Sequence, residues 1–181
     1  PVISGTAPTT GSGISNSIVS YTLNEACKSG TIVFTRTGGL ADGSSPHSYT
    51  MSGTDLSSGA HTNLNTGKTL VDGTTYSLSF DATDLAGNNA TTVTNTGLNF
   101  DSAPPVIART VLVSTSGLTT GGFIRQGDTY YVYAEVTDNL SGVNLVTTDV
   151  SNITTGATAV TLSTTGGPWT VNALSYNYRT S

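Results

Sequence analysis

The sequence predicts an all-β chain built as two β-sandwiches in tandem. Alternation of apolar and polar residues recurs along it, most plainly where Tyr76, Leu78, Phe80 and Ala82 share one face and Ser77, Ser79, Asp81 and Thr83 the other. Charged residues make up only 9% of the chain, against about 25% in ordinary soluble domains, while Ser and Thr together supply about a third. Such a composition is poor material for solvated helices and good material for strand faces that meet water, because threonine is β-branched. No window holds a sustained helical period. Finally, Pro1-Val2-Ile3-Ser4 returns as Pro105-Val106-Ile107-Ala108, an interval of about a hundred residues, the size of one sandwich.

The stretch from Val71 to Asn88 anchors the first domain. Asp72-Gly73 is a turn dipeptide, and Asp84-Leu85-Ala86-Gly87-Asn88 breaks the alternation that follows it. A tyrosine just after a turn, entering the penultimate strand, predicts a tyrosine corner at Tyr76, in which the phenol bonds to the backbone of the preceding connection. The remaining strands are expected over 2–5, 17–24, 30–36, 47–53, 59–70, 75–84 and 90–100. Val19, Tyr21, Leu23, Ile32, Phe34, Tyr49, Met51, Tyr76, Leu78 and Phe80 should face inward. Seven strands in this order give a sandwich of the immunoglobulin type, with 38–45 as an exposed loop.

A boundary is expected at Ser102 to Pro105, because two prolines donate no ladder hydrogen bond and stiffen the junction. The domains are therefore 1–103 and 104–181. In the second, strands are expected over 107–114, 128–138, 143–151, 158–163 and 169–178. The 128–138 strand should carry Tyr130, Val132, Ala134 and Val136 on one face and Thr129, Tyr131, Tyr133 and Glu135 on the other. No counterpart of the Asp-Gly-Thr-Thr-Tyr turn follows, so this sandwich is expected to lack its last strands and to expose a sheet edge. A chain cut from a longer array would explain that, and so would a strand added by a neighbouring subunit in a fibre; the first is favoured.

The blocks Val19-Ser20-Tyr21-Thr22-Leu23-Asn24-Glu25-Ala26, Thr35-Arg36-Thr37-Gly38-Gly39, Ser45-Pro46-His47, Asp72-Gly73-Thr74-Thr75-Tyr76, Asp84-Leu85-Ala86-Gly87-Asn88 and Asp101-Ser102-Ala103-Pro104-Pro105 resemble a bacterial immunoglobulin-like repeat of large extracellular surface or adhesin-type proteins. They span nearly all of the first half of the chain. The resemblance implies a bead in a secreted stalk or fibre, whose partners are neighbouring repeats or subunits.

Composition narrows the alternatives. A net charge of -5, with six scattered Lys and Arg, argues against nucleic acid. No stretch approaches the roughly 20 apolar residues of a membrane-spanning helix, so no membrane insertion is expected. The single cysteine, Cys27, forms no internal disulfide and no Cys-rich zinc pattern. His47 and His61 are the only histidines, and serines and aspartates are too plentiful for their proximity to a histidine to signal a triad. His47, at a strand start, reads as structural. Asn89, Asn139 and Asn152 match the glycosylation acceptor pattern, as chance predicts for an Asn- and Thr-rich chain.

Calcium is the one cofactor the carboxylates invite, since it takes six to eight oxygens from Asp, Asn and backbone groups. Loops of such a sandwich sort to its two ends. Asp72, Asp101, Asp138 and Asn139 are expected around the junction, and Glu25, Asp81 and Asp84 at the opposite end of the first domain; all seven also suit plain turn chemistry. Trp169 and the 38–45 loop are the candidates for ligand or carbohydrate contact. The expected function is non-catalytic: a spacer of an extracellular repeat protein or filament. A recognition module and an accessory domain of a larger secreted enzyme are the alternatives.

Overall fold

A computed structural model describes residues 1–115 and 124–181, and the chain is all-β apart from one 3-10 turn at Gly53–Leu56. It divides into two compact units, Pro1–Ala103 and Pro104–Ser181.

The first unit contains β1 (Ile3–Ala7), β2 (Gly13–Ile14), β3 (Ile18–Leu23), β4 (Cys27–Gly39), β5 (His47–Thr50), β6 (Gly59–Asn65), β7 (Thr74–Asp84) and β8 (Val93–Phe100). A three-stranded sheet runs β1-β3-β6 and a five-stranded sheet runs β2-β8-β7-β4-β5. The opening segment thus serves both sheets: β1 pairs antiparallel with β3, and β2 pairs parallel with β8. Alternation puts Val19, Tyr21 and Leu23 of one sheet and Ile32, Phe34, Tyr76, Leu78, Phe80 and Leu98 of the other into a common core. Tyr49 packs against that core from its edge and the other expected inward residues are buried.

Three details differ from the sequence reading. β2 was not anticipated, being only two residues long. The β4 strand does not end at Arg36 but continues to Gly39, paired with Thr74. That extension requires glycine: Gly39 has φ 69°, and a Cβ there would overlap the Gly73 carbonyl oxygen. The 38–45 stretch is therefore part strand, and its Asp42 is buried.

The second unit contains β9 (Val106–Ser114), β10 (Tyr130–Thr137), β11 (Val146–Thr148), β12 (Val160–Ser163), β13 (Trp169–Val171), β14 (Leu174–Tyr176) and β15 (Tyr178–Thr180). One five-stranded sheet runs β11-β12-β15-β10-β9, so β15 is inserted between β12 and β10 and the edges are β9 and β11. Val132, Ala134, Val136, Val146, Val150 and Leu162 form its core, with Val143 and Ala157 packed against it. The expected single strand over 169–178 is instead a two-strand hairpin followed by β15. Its turn, Asn172-Ala173, has φ 52° and 62°, both left-handed, as a two-residue hairpin loop of the primed type demands.

Candidate functional site

The first unit turns most of its chemistry-bearing side chains to loop anchoring. In β7, Tyr76 is fully buried, and its phenol oxygen accepts the Val71 amide at 3.0 Å, which is the expected tyrosine corner. The same hydroxyl donates to Asp42 Oδ2 at 2.6 Å, and His47 Nε2 meets that oxygen at 2.6 Å. The Ser44 amide donates to Asp42 Oδ1 at 3.0 Å. These donors, the Tyr76 hydroxyl first and His47 second, hold the Asp42 carboxyl down to about 2. Burial, and then the neighbouring carboxylate, raises the Tyr76 phenol. Across the loop Arg36 Nε and Nη2 donate to the Leu40 and Gly39 carbonyls at 2.8 and 2.9 Å. His47 accordingly has a structural task, fastening the loop that precedes it.

A second phenol–carboxylate group sits over β3 and β5. Tyr49 donates to Asp55 Oδ2 at 2.8 Å, the Ser52 amide donates to the same oxygen at 3.2 Å, and Tyr21 donates to the Asp55 carbonyl at 2.8 Å. His61 stacks on Tyr21 with ring centroids 4.7 Å apart. Burial first, and the Asp55 charge second, raises the Tyr21 phenol well above its ordinary range.

The calcium candidates fall as follows. Both Asp72 oxygens accept from Ser102, whose amide donates at 2.6 Å, and Asp101 Oδ1 accepts the Ala103 amide at 2.9 Å. Asp72 and Asp101 thus lie at one end of the first unit, linked through Ser102. In the second unit Asp138 Oδ1 accepts three amides, from Leu140, Ser141 and Gly142, each at 3.0 Å, and Asn139 is exposed beside it. Asp84 belongs to the inward set of β7 and takes the Asn88 amide and side chain at 2.8 Å each, which lowers its carboxyl, the side-chain bond contributing most. Asp81 has the opposite parity on β7 and accepts from Thr92, so the sheet separates it from Asp84. Glu25 is exposed, 3.2 Å from the Pro1 amine. Among the described residues no group of three or more His, Cys, Asp or Glu side chains converges on one point.

The second unit carries a different constellation. On the face of β10 opposite Val132 and Ala134, Tyr131 and Tyr133 stand edge to face, with ring centroids 6.1 Å apart. The β13–β14 hairpin brings Trp169 to 6.2 Å and Tyr176 to 6.0 Å from Tyr133. From β15, directly opposite Tyr133, Arg179 places Cζ 4.2 Å from the Tyr131 ring centroid and 4.7 Å from that of Trp169. Trp169 is half-buried, and a Cβ on Gly167 would stand 2.7–3.0 Å from its ring carbons, so backbone packs close against the indole. Tyr133 and Tyr176 are buried, while Tyr131 and Arg179 are half-buried.

Neither Asp42 nor Arg179 stood out in the sequence. The only local sign of Asp42 is its place in a Gly-flanked loop. Arg179 follows alternation from Tyr133 only once the β10–β15 register is known. Compared with known proteins, the chain matches no family model, no curated protein and no solved structure.

Proposed function

We propose that this chain is a non-catalytic spacer segment of an extracellular repeat protein or filament, and that its first unit is an immunoglobulin-like β-sandwich. The observation carrying the reading is the division into two compact units, one after the other along the chain, each with its own hydrogen-bonded sheet and apolar core. The fold assignment rests on the strand order, on an opening segment whose two strands, β1 and β2, join different sheets, and on the tyrosine corner at Tyr76. The use of Asp42, Asp55 and Asp84 to fasten loops supports a mechanical role over a chemical one. In this reading the second unit is the related sandwich in which one sheet predominates, and neighbouring repeats or subunits are the partners.

Stretching the full chain between its termini in a force spectrometer tests it. A spacer yields two discrete unfolding events, one per unit; continuous extension at low force removes the proposal. Calcium is tested separately by melting. A cation bound only by the folded state raises the melting temperature, whereas equal melting in calcium and chelator leaves Asp72, Asp101 and Asp138 as turn caps alone.

A further inference from the structure

We infer that Arg179, flanked by Tyr131 and Trp169, is a binding site for the carboxylate of an acidic saccharide, a sugar ring bearing one negative charge among neutral hydroxyls. The inference is independent of the spacer reading. An arginine side chain is flexible, and ordering it is the main obstacle to using it as a ligand clamp. Here that ordering is built in: the guanidinium carbon lies 4.2 Å from one ring centroid and 4.7 Å from the other, on a strand paired at the centre of the sheet. Cation–π contact of this kind engages the faces of the guanidinium and leaves its N–H edge for a partner.

Among the described residues the edge has no acidic partner. The ion pairs there are Pro1–Glu25, His47–Asp42 and Arg109–Glu135, and Arg179 belongs to none of them. Glu135, the acid on the same face of β10, stands cross-strand from Arg109 and 3.2 Å from its Nη1. A stacked cation without a carboxylate, in a chain of net charge -5, is an arrangement that a structural role does not require. Its fork geometry suits two parallel N–H···O bonds to a carboxylate.

The class of ligand follows from what surrounds the cation. A strongly acidic protein repels polyanions, so one guanidinium among few other cations selects a ligand with a single charge. The half-buried Tyr131 and Trp169 supply apolar ring edges and polar O–H and N–H tips, which match the alternating C–H and hydroxyl groups of a sugar ring. An acidic peptide would gain only the carboxylate contact and would carry its own charge repulsion.

Trp169 is the only tryptophan, so its fluorescence reports on this site alone. The full chain is titrated with glucuronate, with glucose and with a short Glu-rich peptide. A saturable change is expected with glucuronate and not with the other two. It should weaken with salt, fall about tenfold or more in Arg179→Lys, which keeps the charge but loses the fork, and vanish in Arg179→Gln. Tyr131→Leu keeps bulk and loses the ring, and should weaken glucuronate severalfold. Circular dichroism confirms that each variant is folded, and a Tyr131→Leu chain that binds normally overturns the site even where Arg179→Gln fails to fold. No saturation by glucuronate, equal binding of glucose, or tighter binding of the peptide overturns it too.

Discussion

The two units open on the same Pro-Val-Ile sequence and treat it differently. Ile3 is 6% exposed, opposite Leu23 in a core closed by two sheets, whereas Ile107, opposite Val136, is 62% exposed on an edge strand. The first unit buries five aromatic rings, Tyr21, Phe34, Tyr76, Phe80 and Phe100, in the core its sheets share. The second fills its core with Val, Ala and Leu, edged by the half-buried Tyr130 and Tyr178, and gathers Tyr131, Tyr133, Trp169 and Tyr176 on the other side of the sheet. An identical opening tripeptide therefore does not set its own burial; the presence of an opposing sheet does. The second unit's sheet instead has Val143, Val150 and Ala157, from the chain flanking β11, against one face and a hairpin against the other.

The largest test of this contrast is Phe80→Ala. It leaves a cavity between two rigid sheets and should cost the first unit about 3–5 kcal/mol, lowering its unfolding transition while the second unit's stays in place. Leu162→Ala in the second core should cost about 2–3 kcal/mol, toward the low end for leucine, because a core covered by a loop segment relaxes more readily than one between sheets. Denaturant melts of both variants decide whether the closed core is the less forgiving. Equal losses would erase the distinction.

Tyr76→Phe removes one hydroxyl that serves both Val71 and Asp42, and should cost the first unit about 1–3 kcal/mol because a buried carboxylate loses a donor. Acid acts through the same group. Asp42 is depressed to about 2, so its contribution is fully present above the unfolded value of about 4 and disappears as pH falls from there towards 2. Melting of wild type and Asp42→Asn between pH 2 and 5 should show a shallower dependence in the variant. The smallest effect is a gain: Ala173 sits at φ 62°, and Ala173→Gly should stabilise the second unit by about 1 kcal/mol.

That same turn explains where the sequence misled. Primed hairpin turns are signalled by Asn-Gly, and Asn172-Ala173 lacks the glycine, so nothing local in the sequence marks the reversal and 169–178 reads as one strand. The tyrosine corner was legible because turn and tyrosine lie within a few residues of each other. Asp42 was not, because its partner Tyr76 is 34 residues away and an acid between Gly39 and Gly43 resembles any solvated turn. The inward residues of β3, β4 and β7 were legible because period-2 alternation is a local property. The short β2 was invisible, its two residues being too few to show a period. At the calcium candidates the acids and their parity were both legible, since a separation of three on one strand puts Asp81 and Asp84 on opposite faces; the partners each carboxylate takes were not.

The parallel pairing of β2 with β8 has a mechanical consequence. A load applied through the two ends of the first unit draws Gly13–Ile14 and Asn99–Phe100 past each other along their length. The amides that bridge them, with Gly11 to Thr96, Asn99 to Ser12 and Asp101 to Ile14 alongside, must then rupture together rather than one after another. In the spacer reading proposed above, Gly13 and Ile14 are the latch that such a load would have to open.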